Sequence, residues 1–498
     1  MTDGTFQGPG IVQAGIFHPR GEVLQRAGQA AIALNTLGVA EGDPVALLMR
    51  NDVAFFEAWA ALGALGAAPV PINWHSRGVE VEHILNDCGA RVVIGQGDLL
   101  DRFASHLGDR TNIAVSQPAS GHLDWNRLLS SVTDAEPVVG GTAPSLIYSS
   151  GTTGRPKGIR RLPRSVEQAA IYGQVARSVY GIEEGMRTLV TTPLYHSAPL
   201  YHATAAFMAG GTLVLQDRFD ASEFLHLVDR HRVTNLLMVP TQFVRLLQLP
   251  EPERRAFSGE SLRHVVHGAA PCPIGVKTSM IDWWGPIVHE YYGCTESGIV
   301  TACDSREWAQ RPGTVGRPTL GGVVSVLGDD GHPTSPGTPG EIFLRNRGAS
   351  DFEYQGLPGE RASMERDGLI TCGDIGYLDS AGYLFLVDRK RDLVISGGVN
   401  IFPAELEALL MAIPGVLDCV AFGIPDTDYG ERLAALVVIV PGSQVDEVVL
   451  RSYLEERLER LRIPKLIEIR PELPRDPSGK ILKRELRAPY WEGTGGLI

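Results

Sequence analysis

From about residue 20 to 300, segments with apolar positions at helical spacing alternate with short apolar runs. Residues 22–37 predict a helix stopped by Gly38. The run Val45-Ala46-Leu47-Leu48-Met49 predicts a buried strand, residues 54–65 a helix and residues 91–94 another strand. The strand signal recurs at 188–192, 212–216, 235–239, 264–267 and 287–292, each time followed by a helix-length segment or a glycine turn. Such alternation predicts parallel sheets covered by helices, with ligand sites gathered at the carboxyl ends of the strands.

After Arg311 the texture changes. Proline and glycine rise, and strands at 323–327 and 341–344 are separated by turn residues. A charged turn near 389–398 precedes a compact final segment, with a helix at 403–412, strands at 418–422 and 434–440, and a helix at 445–460. The expectation is an α/β fold. A large N-terminal domain of helix-covered sheets, residues 1–389, carries a β-rich subdomain at about 311–389 and is followed by a small α+β C-terminal domain, residues 390–498.

Composition narrows this little. A chain of 498 residues exceeds one core, and 44% hydrophobic with 21% charged content is ordinary for a soluble enzyme. The net charge of −13 disfavours a general nucleic-acid or anionic-membrane binder, so an anionic ligand needs locally concentrated cations. The least polar run, residues 58–72, contains Pro69 and Pro71 and is too short to span a bilayer. No secretory signal is evident at the N-terminus. Six cysteines without C-x-x-C spacing fit a reduced, cytoplasmic chain lacking structural zinc.

The most informative stretch is Tyr148-Ser149-Ser150-Gly151-Thr152-Thr153-Gly154-Arg155-Pro156-Lys157-Gly158. Small residues let backbone N–H groups approach an anion, and hydroxyls with one lysine complete a phosphate cradle. It is not a Walker A loop, which needs G-x-x-x-x-G-K-[ST]. The stretch resembles the phosphate loop of the adenylate-forming superfamily, which includes acyl-CoA synthetases, luciferases and adenylation domains. Further motifs follow in the family's order: Pro193-Leu194-Tyr195-His196, Tyr291-Tyr292-Gly293-Cys294-Thr295-Glu296, Gly373-Asp374, Asp388-Arg389-Lys390-Arg391-Asp392 with Ser396-Gly397-Gly398-Val399-Asn400, and Pro474 to Lys480. The similarity covers about residues 20–487.

The resemblance implies ATP and Mg²⁺ as cofactors, with a carboxylic acid activated as acyl-adenylate and pyrophosphate released. Ser149, Ser150, Gly151, Thr152, Thr153, Gly154 and Lys157 would cradle the β- and γ-phosphates. Lys480 would be the catalytic cation. Two unit charges about 4 Å apart interact by roughly 4 kcal/mol at an effective dielectric near 20, so one lysine between carboxylate and phosphate matters to rate. Glu296 would hold Mg²⁺, for which one carboxylate plus phosphate oxygens and waters suffices. Thr295 would donate to the α-phosphate, and Tyr292 with Gly268, Ala269 and Ala270 would receive adenine. Asp374 would accept the ribose hydroxyls, with Arg389 beside it. Arg391 falls at the hinge about which the small C-terminal domain turns between half-reactions; the family commonly has Asp or Lys there.

His196 and His202 border the expected acyl pocket, where either could orient the carboxylate or accept a proton; for His202 a backbone partner is the alternative. His264 and His267 read as structural or pocket-lining. Asp220, in a Phe-Asp-Ala-Ser sequence that mimics an amine-binding motif, reads as a helix N-cap. His18 to Glu22 leads straight into the first helix, so the family's N-terminal hairpin is expected to be trimmed away.

The acceptor is expected to be the thiol of CoA, giving an acyl-CoA ligase; the alternative is an amine, giving a stand-alone amide bond synthetase. The acid is expected to be a mono-carboxylate with an apolar body, aromatic or medium-to-long aliphatic. Ala198, Ala203, Ala205 and Ala206 suggest a pocket wide enough for a ring. A monomer or homodimer without nucleic-acid partners is expected.

Overall fold

The computed structural model describes residues 8–116, 121–138, 145–149, 156–475 and 481–492. Two parallel sheets dominate its first half. A nine-stranded sheet is built around Arg187–Val190, Thr212–Leu215, Asn235–Met238, His264–His267 and Val288–Cys294, which run parallel. A second, five-stranded sheet is parallel throughout, with Pro44–Leu48 between Ala68–Pro71 and Val92–Gly95. Strands covered on both faces have no solvent side to alternate towards, which is why these segments read as unbroken apolar runs. Thr212–Leu215 and Asn235–Met238 are buried at every position.

The covering helices begin and end where local chemistry dictates. The Asp52 side chain accepts from the Ala54 N–H at 2.8 Å to start Val53–Leu65, and Gly66 stops it at φ +67°. Ser165 and Gln168 form a reciprocal capping box for Val166–Tyr180. Asp220 is the N-cap expected of it, accepting from the Glu223 N–H at 2.8 Å.

The N-terminus departs from expectation. Gly10–Gln13 and Ile16–Pro19 form an antiparallel hairpin ahead of the first helix, and Gly10–Gln13 pairs in parallel with Thr212–Leu215. The hairpin is short but present. Its signal was the Ala14-Gly15 pair, at φ +49° and +80°, flanked by apolar residues: a two-residue turn with both central residues left-handed matches the twist of the strands it joins.

Leu146–Ser149, Lys157–Arg161 and Phe352–Tyr354 make a three-stranded antiparallel sheet. A five-stranded sheet follows over residues 322–389, centred on Gly340–Asn346 and Leu369–Leu378. The last segment has its own five-stranded sheet, including Val416–Asp426 and Gly430–Ile439, and its own core around Leu406, Leu433, Val437 and Leu450. The helix expected at 445–460 is shorter, Glu447–Glu455, followed by a 3₁₀ turn at Arg460–Arg462. Among the described residues no helix is long and apolar enough to cross a membrane.

Candidate active site

The carboxyl ends of the parallel strands open onto one cleft. Asn51, just past Pro44–Leu48, ties the two sheets together there: its amide donates to the carbonyls of Val190, Thr192 and Gln216 at 3.2–3.3 Å, and its oxygen accepts from the Leu194 N–H. Ser149 ends a strand and lines the cleft, as do His196, Ala269, Ala270, Thr295 and Glu296, each just beyond a strand end. Ser150, Gly151, Thr152, Thr153, Gly154 and Lys480 lie outside the described residues. The residues flanking the Lys480 loop, Arg475 and Ile481, pair with each other and line the same cleft.

At the expected nucleoside end, the Tyr292 hydroxyl donates to Asp374 Oδ2 at 2.6 Å, and Arg389 Nε stands 3.2 Å from Asp374 Oδ1. Burial and the adjacent carboxylate hold the Tyr292 hydroxyl well above its ordinary pKa, so it remains a donor. A Cβ at Gly268 would lie 2.6 Å from the Tyr291 ring, and Ala269 is left-handed at φ +67°. This backbone therefore packs directly against the Tyr291 ring.

At the expected phosphate end, Lys157 is ion-paired with Glu360 and lies over the Tyr354 ring, 5.6 Å from its centroid. The Tyr354 hydroxyl donates to Glu296 Oε1 at 2.8 Å. Arg161 donates to the carbonyls of Thr295 and, at 2.7 Å, Ser350. Thr295 Oγ1 lies 3.2 Å from Ser197 Oγ. Arg161, Tyr354 and Glu360 escaped the sequence reading. Their signal, a charge or an aromatic in strands flanking a phosphate loop, is too common to single out.

For Mg²⁺, the test is whether hard oxygen donors stand free. Glu296 lines the cleft, and among the described residues no lysine or arginine forms a salt bridge with it, so its carboxylate fits the role. Cys294 and Cys372 face each other close to Glu296. Their meeting brings the Thr295–Glu296 turn beside the strand carrying Asp374 across 78 positions, which no local spacing reveals. Cys88, Cys272, Cys303 and Cys419 are free.

The two histidines separate. His196 is the N-cap residue of Ser197–Met208 and lines the cleft. His202 is 3% exposed, edge-on to Tyr180 and outside the cleft lining, with burial driving its pKa down to about 3. The alanines divide likewise. Ala198 and Ala205 line the cleft, whereas Ala203 and Ala206 are fully buried in the core and cannot widen a pocket. His264 Nε2–H donates to the Val179 carbonyl, 2.8 Å away, and His267 is fully buried beside Glu290. Arg391 sits in the 3₁₀ turn Lys390–Asp392, with Nε 3.8 Å from Asp392 Oδ1.

The profile of the AMP-binding enzyme family matches residues 20–351, and that of the AMP-binding enzyme C-terminal domain matches residues 405–480. The chain belongs to the AMP-binding enzyme family. A feruloyl-CoA synthase from Amycolatopsis sp. is 34% identical over 472 residues, covering 94% of this chain and 92% of that protein. An indoleacetate–CoA ligase from Aromatoleum aromaticum is 33% identical over 468 residues, with 92% and 90% covered. The amide bond synthetase McbA from Marinactinospora thermotolerans superposes with TM-score 0.86 over 98% of both chains at 24% identity, a likeness of fold alone. In this AMP-binding enzyme both matched regions contribute walls to the one cleft, from Ser149 and Tyr292 on one side to Glu407 and Arg475 on the other.

Proposed function

We propose that this AMP-binding enzyme activates an apolar carboxylic acid with ATP and transfers the acyl group to the thiol of CoA. One observation carries the reading. Thr295, Glu296, Tyr292, Asp374, Lys157 and both flanks of the Lys480 loop converge on a single cleft. The CoA-ligase names of relatives similar over nearly the whole chain support the thiol acceptor.

In the first half-reaction a carboxylate oxygen attacks the α-phosphorus and pyrophosphate leaves. Two anions must meet, so fixed cations and donors lower the barrier. Lys480 supplies the cation between them, and Thr295 donates to the α-phosphate. Ser149, Ser150, Gly151, Thr152, Thr153, Gly154 and Lys157 hold the terminal phosphates. Asp374 and Arg389 hold the ribose, and Gly268, Ala269, Ala270 and Tyr292 enclose the base. Glu296 would hold Mg²⁺, which supplies charge neutralisation on the phosphates. In the second half-reaction the CoA sulfur attacks the acyl carbon and AMP leaves, after the C-terminal domain has turned about Arg391. His196 borders the acyl pocket. His202 lies behind the pocket wall and acts, at most, through its neighbours. Met238, Val239, Val244, Ala198 and Ala270 offer an acid an apolar wall, which favours an aromatic or longer aliphatic body.

Mass spectrometry of products tests this. The enzyme receives ATP, Mg²⁺ and a pool of apolar acids, with CoA and a simple amine offered separately and together. Acyl-CoA in preference to amide is expected. Amide without thioester would replace CoA by an amine as acceptor. In parallel, Lys480→Ala should slow pyrophosphate release by about 10²–10³-fold, the scale of one preorganised electrostatic contact. Transfer from a supplied acyl-adenylate should be largely spared; equal loss of both steps would remove Lys480 from its assigned role.

A further inference from the structure

The sheet that carries the phosphate loop also grips the Thr295–Glu296 turn. Ser149 pairs with Lys157, Ile159 with Tyr354, and Arg161 with Phe352. Directly opposed residues in an antiparallel pair share a face, as do residues two apart on one strand. Ser149, Lys157, Arg161 and Tyr354 therefore project from one face of a single small sheet. The first two flank the phosphate loop. The other two reach the turn after Val288–Cys294: Arg161 donates to the Thr295 carbonyl and, at 2.7 Å, to the Ser350 carbonyl, and Tyr354 donates to Glu296 Oε1 at 2.8 Å.

We propose that Arg161 and Tyr354 are positioning residues that hold Thr295 and Glu296 in register with the phosphate loop. The proposal rests on the assignment of Glu296 and Thr295 made above. A flexible glutamate on a hairpin turn loses rotamer freedom when it takes up a cation, and a fixed hydroxyl bearing on one oxygen removes that freedom in advance. The other oxygen is then presented in one orientation. Arg161 acts on the backbone. Its planar fork spans two carbonyls from different segments, Thr295 and Ser350, which a single-point ammonium cannot reproduce. Because both residues stand on the sheet that also carries Ser149 and Lys157, one element ties those two residues to the carboxylate.

The test uses the full chain and α,β-methylene-ATP, whose bridge is not cleaved, titrated calorimetrically with and without Mg²⁺. Adenosine, which needs only the Tyr292–Asp374 end, is the control ligand. In Tyr354→Phe and Arg161→Met the Mg²⁺-dependent affinity for the analogue is expected to fall about tenfold, the scale of a hydrogen bond to a charged group. Adenosine affinity should hold, and Arg161→Lys should recover only part of the loss. If Arg161→Met fails to fold, Tyr354→Phe and Arg161→Lys carry the test. Glu296→Gln separates this proposal from its premise. Should Glu296→Gln lose the Mg²⁺ dependence while Tyr354→Phe and Arg161→Lys keep wild-type values, the positioning role is overturned and the assignment of Glu296 stands. Equal loss of adenosine and analogue would mean general collapse of the cleft and would equally overturn it. Unchanged Mg²⁺ dependence in Glu296→Gln removes the premise and the proposal together, whatever pyrophosphate release the wild type shows.

Discussion

His202 illustrates what a single side chain can and cannot do once its surroundings are known. Enclosed beside Tyr180 and near His264, it stays neutral, because burial lowers its pKa to about 3. An unfolded histidine titrates near 6.5. Between those values the unfolded chain binds a proton that the folded chain refuses, so stability rises with pH through this window and is complete above about 6.5. As pH falls below 6.5, each such group should remove about 1.4 kcal/mol per pH unit. His289 and His231, with pKa values lowered to about 4 by burial, act in the same direction. Melting curves between pH 7.5 and 5 should therefore show falling stability, with a shallower slope in His202→Gln. An identical slope would mean that His202 is reached by solvent and titrates normally.

Between elements, the helix Ile274–Trp284 and the strand Val288–Cys294 are joined by a buried ion pair. Lys277 Nζ lies 2.5 Å from Glu290 Oε2 and 4.9 Å from the Trp308 ring centroid, and the lysine is fully buried. Removing one partner strands the other charge, at a typical cost of about 3–5 kcal/mol. Lys277→Met should lose that much stability in urea unfolding. Lys277→Met combined with Glu290→Gln should recover most of it, because no uncompensated charge remains. A double variant as unstable as the single one would place the cost in packing around Trp308. Since Glu290 also lines the cleft, the pair anchors one wall of the site from below.

At the scale of the molecule, the cleft has walls from both matched regions, yet among the described residues few polar ties hold them. Arg77 Nη2 stands 4.0 Å from Glu485 Oε1 across the divide, an exposed pair worth little to stability. Lys483 is held within the final segment by Glu407 at 2.8 Å. An interface so lightly tied is compatible with the domain rotation proposed above, for which the turn Lys390–Asp392 is the proposed hinge. Arg391→Pro, which fixes φ at that position, should leave pyrophosphate release within about threefold of wild type and slow acyl transfer from a supplied adenylate by at least about tenfold. Parallel loss of both steps would show that Arg391 supports the adenylation site itself rather than a rotation.

Much of this protein was legible in its amino acids because the information is local. A strand buried on both faces is mostly apolar, so Pro44–Leu48 and Thr212–Leu215 could be read directly, as could the N-cap Asp220 and the ordered motifs around Thr295 and Asp374. What stayed hidden depends on which distant segments meet. The meeting of Cys294 with Cys372, the pairing of Gly10–Gln13 with Thr212–Leu215, and the grip of Arg161 and Tyr354 on Thr295–Glu296 join positions 58 to 202 residues apart. Helical phase decided the alanines: on one helix Ala198 and Ala205 face the cleft, while Ala203 and Ala206 face the core. Residue chemistry determined what these groups could do, and only the packing of sheets and helices decided which of them stand where substrate can reach.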